Sequence, residues 1–145
     1  MSVKRICNPE VDVITAEEPV QTAAGRMHAR KVGTLVVVNE CREPIGIVTD
    51  RDLAVRVVAE GRNPTATIVD EVMTRDPETV RENTAVEDAL RIMRNGCFRR
   101  VPVVDDDNQL VGLLSLDDIL HLLAHDFAQI GDLMERESPE SLMSA

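Results

Sequence analysis

Two short motifs of the same form hold the groups best suited to chemistry. Each has a glycine, a hydroxyl residue three positions later and an aspartate three further on: Gly46, Thr49 and Asp52, then Gly112, Ser115 and Asp118. The glycine permits close backbone approach, and a hydroxyl at a helix start lies beside free N–H groups and the dipole end that attract phosphate. A carboxylate one turn further on can accept hydrogen bonds from both ribose hydroxyls. The same spacing fits a helix-capping box, so binding and capping both remain open.

Arginines near these motifs are the candidates for holding a phosphate. Arg51 lies inside the first motif, and Arg99 and Arg100 come just before a Val-rich run. The first copy has the uncharged pair Gly33 and Thr34 at the equivalent place. Because adjacent arginines are usually a solvated surface pair, the sequence alone leaves their role open.

Metal and catalytic chemistry find little support. His121 and His125 have a spacing on a predicted helix that can bind zinc, but no cysteine or third histidine accompanies them, which favours a solvated helix face. Neither a Ser–His–Asp nor a Cys–His arrangement is indicated, and acidic runs such as Asp105 to Asp107 are typical of solvated turns. We therefore predict no catalytic residue, no metal site, no required cofactor and no enzyme activity.

The elements that must position the motifs repeat at the same offset of 66 residues, without a gap. Both copies have apolar residues at helical spacing: Val20, Ala23, Ala24 and Met27, then Val86, Ala89, Leu90 and Met93. Pro19 fits the first turn of the first of these helices, and Thr84 with Glu87 predicts a capping box for the second. Val-rich runs joined by polar turns follow in each copy and predict hairpins.

A second helix is expected to close each copy. In copy one it covers about residues 50–60, with Gly61 as the residue that ends it. In copy two it is longer, since apolar residues keep helical spacing at Ile119, Leu123, Phe127, Ile130 and Met134; from Glu135 on we predict a frayed tail.

The predicted fold is α/β (α+β), with two βαββα repeats packed as one pseudo-two-fold module. Residues 1–64 form repeat one, 65–128 repeat two, and 129–145 a helix extension and tail. Repeats of about 60 residues are near the lower limit for independent folding, so one shared core is expected.

Composition limits the partners. The 145 residues carry a net charge of −10, which disfavours nucleic acid. Trp and Tyr are absent and Phe occurs twice, so a stacking platform for nucleic-acid bases is almost lacking, and any bound adenine would lie between aliphatic side chains. No apolar run is long enough to cross a membrane and no secretory signal is seen. Three cysteines, Cys7, Cys41 and Cys97, form no Cys-x-x-Cys pair, which indicates a reducing, cytoplasmic location.

The order β–α–β–β–α, with Arg-Arg-Val-Pro-Val-Val-Asp at 99–105 and Gly-x-x-Ser-x-x-Asp at 112–118, resembles the CBS (cystathionine β-synthase) domain. Two in tandem resemble a Bateman module, and the resemblance covers about residues 3–128, as in small free-standing CBS-pair proteins. It implies adenosine-type ligands between the copies: AMP, ADP or ATP, with NAD or S-adenosylmethionine less favoured. It also implies phosphate contacts at Arg99 and Arg100, a homodimer formed through the helices, and a regulated partner protein.

The family's geometry further implies that each cleft combines one copy's motif with the start of the other copy's strand. One cleft would hold Thr49, Arg51 and Asp52 opposite Arg99 and Arg100; the other would hold Ser115, Asp117 and Asp118 opposite Gly33 and Thr34. Arginines favour phosphate in the first cleft, whereas carboxylates repel it from the second. We therefore expect an adenine-nucleotide-sensing regulatory module, with the second cleft empty or holding a less anionic ligand. The alternative is a ligand-free dimerisation or interaction scaffold of the same fold.

Overall fold

Two α+β units of one design make up residues 1–137, the part of the chain that the computed structural model describes. The strands are β1 (Val13–Ile14), β2 (Thr34–Val38), β3 (Pro44–Thr49), β4 (Thr74–Arg75), β5 (Val80–Arg81), β6 (Arg100–Val104) and β7 (Leu110–Ser115). The helices are α1 (Val20–Arg30), α2 (Asp50–Leu53), α3 (Val86–Gly96) and α4 (Leu116–Arg136). Helix α4 includes Glu135 and Arg136, the first two residues of the tail that we predicted to be frayed. The rest of that prediction falls largely on residues 138–145, which lie outside the described part of the chain. No helix among the described residues is both long enough and apolar enough to span a bilayer.

The sheets confirm the predicted hairpins and set the position of each motif. They have the orders β1-β2-β3-β4 and β5-β6-β7. In each sheet the leading strand runs parallel to its neighbour, and the hairpin strands are antiparallel. Thr34 pairs with Thr49 in one hairpin and Arg100 with Ser115 in the other. Each motif hydroxyl therefore lies beside the first residue of the neighbouring strand.

The leading segment of each copy packs against the other copy. The Val3 N–H donates to Thr84 O at 2.8 Å, and its counterpart Val69 donates to Glu18 O at 2.9 Å. The first N–H groups of the long helices are satisfied in the same exchange: Val86 donates to Met1 O at 3.1 Å and Val20 to Thr67 O at 2.8 Å. Residues 66 positions apart therefore make equivalent contacts even at the start of the chain, before the apolar helix positions on which the repeat was recognised.

Sheet pairing continues this exchange. Thr74 of β4 pairs with Ile47 of β3, and the counterpart Asn8 forms an isolated bridge to Leu113 of β7. We call residues 1–8 and 67–75 the exchanged segments. Residues 1–8 therefore form backbone hydrogen bonds with the second copy, and residues 67–75 form them with the first copy.

The apolar core differs from the single shared core that we predicted. One cluster contains Leu35 and Val48 together with Val69 and Val72 from an exchanged segment. The second joins Val3 to residues of the second copy, and a small third cluster around Val36 and Leu110 links the two sheets. Two cores form because each exchanged segment completes a separate apolar surface.

Three local predictions need correction. The capping box at Thr84 is wrong: α3 begins one residue later than this box requires, and its N-cap residue is Ala85, whose methyl group cannot accept a hydrogen bond. The Val86 N–H donates to the Met1 backbone oxygen instead. Pro19 precedes α1 as its N-cap rather than lying within its first turn. The second helix of copy one is α-helical only through Leu53 and widens into a π-helix over Ala54–Val58, where Ala59 N–H donates to Ala54 O at 2.9 Å. Gly61 does adopt a positive φ of 65° after this helix.

Candidate ligand clefts

Two clefts related by the 66-residue offset lie where the motifs of one copy face the other copy. Cleft one encloses about 480 Å³ and cleft two about 290 Å³, the first within the range of small-molecule sites and the second just below it. Cleft one is lined in part by Thr34, Thr49, Asp76, Glu78, Phe98 and Arg100. The counterparts of these residues that line cleft two are Arg100, Ser115, Glu10, Asp12, Val32 and Thr34.

Both motifs begin a helix and form a complete capping box. The Thr49 N–H donates to Asp52 Oδ2 at 2.9 Å, and the Asp52 N–H donates to Thr49 Oγ1 at 3.2 Å. The corresponding distances at Ser115 and Asp118 are 2.8 and 3.1 Å. The capping interpretation is therefore confirmed at both sites, and contact of either aspartate with a ligand stays a prediction.

Most residues named from the sequence do meet across the predicted clefts. Thr49, Arg99 and Arg100 line cleft one together. In cleft two, Ser115 and Asp118 lie with Gly33 and Thr34. Arg100 and Thr34 line both clefts, a sharing that the sequence did not predict.

Three motif residues lie elsewhere than expected. Arg51 and Asp52 are not among the residues that line cleft one; Arg51 is exposed and Asp52 turns back onto Thr49. Asp117 lines a small pocket with Arg99 and Arg100 instead of cleft two. For Arg51 and Asp117 the reason is helix geometry, because consecutive residues of an α-helix point about 100° apart and cannot all face one cleft. Asp52 differs from its counterpart Asp118, which has the same helical position but lines cleft two.

The electrostatics of cleft one depend on two free arginines. Within residues 1–137, neither Arg99 nor Arg100 has a side-chain hydrogen bond or ion pair, although both line the cleft. Two arginines that lie in or near the clefts are engaged: Arg75, also in cleft one, donates to Asp70 Oδ2 at 2.8 Å, and Arg30 donates to Asp12 Oδ1 at 2.8 Å. Two unpaired guanidinium groups in a chain of net charge −10 form a local positive wall.

Sequence reasoning missed two features of cleft one. Phe98 lies in it with 41% of its surface exposed, so the lining contains an aromatic side chain beside the aliphatic ones that the sequence analysis considered. Asp76 and Glu78 also line it, as Glu10 and Asp12 line cleft two. Extending the 66-residue comparison upstream of Val20 would have revealed this repeated acidic pair.

The motif glycines leave room for side chains of the protein itself, before any ligand is considered. A Cβ atom on Gly46 would lie 2.5 Å from Met73 Sδ, and one on Gly112 would lie 2.7 Å from Cys7 Sγ. Both neighbours belong to the exchanged segments, so the close approach that glycine permits is made by protein side chains.

Burial raises the pKa of the Cys7 thiol above its ordinary value, and the Asp118 carboxylate raises it further.

The histidine pair on α4 gains no further ligand. The described residues contain no group of three His, Cys, Asp or Glu side chains arranged to hold a metal ion. His125 Nε2 lies 3.0 Å from Gln129 Nε2, one turn along the same helix. This contact is typical of a solvated helix face.

The CBS domain profile matches this chain twice, at residues 3–59 and 69–125. The chain belongs to the CBS domain family. Each match holds one βαββα copy with its motif, so the protein is a CBS pair, and the resemblance seen in the sequence is confirmed.

Relatives of this CBS pair differ in length. An uncharacterized protein of Methanopyrus kandleri, MK0525, is 39% identical over 132 residues, which cover 89% of this chain and 67% of that protein. The CBS domain-containing protein CBSCBSPB3 of Arabidopsis thaliana is 33% identical over 79% of this chain, which spans only 20% of its length. The module thus occurs in proteins of very different size.

Solved CBS-pair structures share the fold, and some contain ligands. CBSX2 of Arabidopsis thaliana in complex with AMP aligns with a TM-score of 0.74 and 27% identity, covering 86% of this chain and 96% of that one. The CBS domain pair of MJ0100, in complex with 5′-methylthioadenosine and S-adenosyl-L-methionine, aligns with a TM-score of 0.75 and 26% identity, covering 87% and 98%. Adenosine-type ligands therefore bind to modules of this architecture.

Proposed function

We propose that this CBS pair is a regulatory module that senses an adenine nucleotide bound in cleft one. The observation that carries the proposal is the presence of two unpaired arginines, Arg99 and Arg100, in a cleft that also contains Thr49 and Phe98. The phosphate of such a ligand supplies the negative charge that would pair with these two guanidinium groups. The AMP complex of CBSX2 supports the choice of ligand class.

The phosphate is assigned to the arginine side of cleft one. Guanidinium groups bind phosphate oxygens through charge-assisted, often bidentate hydrogen bonds. Thr49 stands at the start of α2 and adds a hydroxyl to the lining of the same cleft. AMP, ADP and ATP all satisfy this arrangement, and we favour them over NAD or S-adenosylmethionine here.

The nucleoside is assigned to the remaining lining. Phe98 offers an exposed aromatic face for the adenine, and stacking of a base on an aromatic ring contributes about 1–3 kcal/mol. The ribose hydroxyls have three carboxylate candidates: Asp76 and Glu78, which line the cleft, and Asp52. Asp52 is included because its counterpart Asp118 lines cleft two.

Cleft two has the opposite electrostatic character. Its lining includes Glu10, Asp12 and Asp118, against the cations Lys31 and Arg100. We expect it to remain empty or to hold a less anionic adenosine derivative. Derivatives of this kind, 5′-methylthioadenosine and S-adenosyl-L-methionine, are bound by the CBS domain pair of MJ0100.

Self-association is part of the proposal. Exposed apolar residues follow one face of α4 at alternating spacings of three and four: Leu120, Leu123, Phe127, Ile130 and Met134. This spacing is the seam of a helix that packs on another helix. We propose a homodimer that covers these residues, and we propose that it passes on the presence or absence of ligand to a regulated protein.

The three free cysteines favour a cytoplasmic location.

Calorimetric titration tests the ligand proposal. AMP is expected to bind the wild type more tightly than adenosine does, with an affinity that falls as salt rises. Replacing both arginines by the residues found in copy one, Arg99→Gly with Arg100→Thr, removes the advantage of AMP over adenosine. Arg51→Ala is the matched control and leaves it unchanged, because Arg51 lies outside the lining. If neither AMP, ADP nor ATP binds the wild type, the scaffold alternative holds instead.

A further inference from the structure

We propose that Arg100 is shared by the two clefts, so that a phosphate bound in one lowers the affinity of the other for an anion. This inference rests on the proposed binding of phosphate in cleft one and adds the coupling between the clefts. Its basis is that Arg100 lines both clefts, together with its counterpart Thr34.

The position of Arg100 explains why one side chain serves two sites. It is the first residue of β6, and it pairs with Ser115, the hydroxyl residue of cleft two. The start of β6 also faces the motif of the other copy, which brings Arg100 into the lining that contains Thr49. Thr34 has the equivalent position at the start of β2. The strand starts thus form a wall common to both clefts.

The side chain is available to either cleft. Arg100 is exposed and has no ion pair within residues 1–137. A long side chain without a partner can turn towards whichever anion is present, but one planar guanidinium group cannot make bidentate contacts in two places at once. Binding in one cleft therefore removes the group from the other.

The consequences for the two clefts are unequal. When Arg100 turns to cleft one, cleft two keeps Lys31 against Glu10, Asp118 and Asp12, of which Asp12 is already paired with Arg30. When Arg100 turns to cleft two, cleft one still has Arg99. A phosphate in cleft one therefore makes cleft two repel anions and accept neutral or cationic ligands. Because such coupling is reciprocal, an anion in cleft two weakens phosphate binding in cleft one.

Inorganic pyrophosphate is a suitable probe, followed by NMR of the ¹⁵N-labelled full chain. The amide signals of Thr49 and Phe98 report on cleft one, and those of Gly33 and Ser115 report on cleft two. In the wild type, cleft two is expected to bind pyrophosphate more weakly than cleft one, because three carboxylates line it. Arg100→Thr is expected to weaken the binding about tenfold at both sets of signals. Arg99→Gly, the matched control, weakens it only at cleft one, because Arg99 does not line cleft two.

Coupling is measured with cleft one filled beforehand. AMP, at a concentration that saturates only the cleft-one signals, is expected to weaken pyrophosphate binding at cleft two severalfold; adenosine is not, and Arg100→Thr removes the difference. An Arg100→Thr effect confined to one cleft, or no pyrophosphate binding at cleft two, overturns the inference. If AMP does not bind cleft one, the proposed function fails, and the pyrophosphate titrations of the two variants still decide whether Arg100 is shared.

Discussion

Asp52 and Thr49 are joined by two reciprocal hydrogen bonds, of 2.9 Å from the Thr49 N–H to Asp52 Oδ2 and 3.2 Å from the Asp52 N–H to Thr49 Oγ1. The Asp52 side chain is only 17% exposed, and its other oxygen, Oδ1, lies 3.9 Å from Arg56 Nε. The carboxylate is thus engaged in the structure of α2 before any ligand arrives. A ribose would have to share it or replace the cap.

Asp52→Ala tests both roles of this carboxylate. Loss of the hydrogen bond from the Thr49 N–H to this carboxylate is expected to lower the free energy of unfolding by about 1 kcal/mol, and loss of the ribose contact to lower AMP affinity by about 1.5–3 kcal/mol. Asp118→Ala removes the equivalent half of the second capping box and is expected to cost similar stability without changing AMP affinity in cleft one. Thermal unfolding and calorimetry measure the two effects. Unchanged AMP affinity in Asp52→Ala would limit Asp52 to capping.

Gly46→Ala tests the packing of the exchanged segment. The added Cβ would meet Met73 Sδ at 2.5 Å, so we expect a destabilisation of about 1–3 kcal/mol. Adding Met73→Ala removes the contact with Sδ, while the backbone oxygen of Thr74 stays 3.1 Å from the new Cβ. Gly25→Ala in α1 is the control, because nothing lies within 4 Å of its new Cβ, and it is expected to stabilise the helix by roughly 0.5–1 kcal/mol. Equal stability of Gly46→Ala and the wild type in denaturant unfolding would contradict this packing.

The comparison of the two copies predicted much of this architecture. The offset of 66 residues placed the hairpins and the two motifs, because these depend on apolar periodicity and motif spacing. The facing of Thr49 towards Arg99 and Arg100 was expected only from the resemblance to the CBS family. The exchanged segments were not predictable in the same way. Their contacts, such as Val3 N–H to Thr84 O, are backbone hydrogen bonds, which leave no side-chain signature. The capping box expected at Thr84 failed because α3 begins one residue later, after Ala85, where the Met1 backbone oxygen accepts from the Val86 N–H.

Alkylation of the three cysteines gives a map of ligand binding. Cys97 lines cleft one, so saturating AMP is expected to slow its reaction with iodoacetamide by about tenfold or more. Cys41 is exposed and lines neither cleft, so its rate should not change. Cys7 should react slowly at neutral pH and faster as the pH rises, because its raised pKa keeps the thiol protonated. Equal rates at Cys97 with and without AMP, measured by mass spectrometry, would argue against occupation of cleft one.

The apolar seam of α4 predicts a dimer. Phe127 is 70% exposed and lies at the middle of the seam, so Phe127→Asp is expected to give a monomer where the wild type has twice the chain mass. His125→Asp introduces the same charge on the opposite side of the helix and should leave the dimer intact. Light scattering at micromolar concentration distinguishes the two. A monomeric wild type would contradict the proposed homodimer.

The position of AMP in a crystal structure of its complex tests the central claim most directly. We expect one AMP in cleft one, with its phosphate within hydrogen-bond distance of the guanidinium groups of Arg99 and Arg100 and its adenine against Phe98. The same experiment with the Arg99→Gly, Arg100→Thr variant should leave cleft one without AMP. AMP found only beside Asp118 in cleft two, or bound in cleft one with its phosphate away from both arginines, would contradict the account.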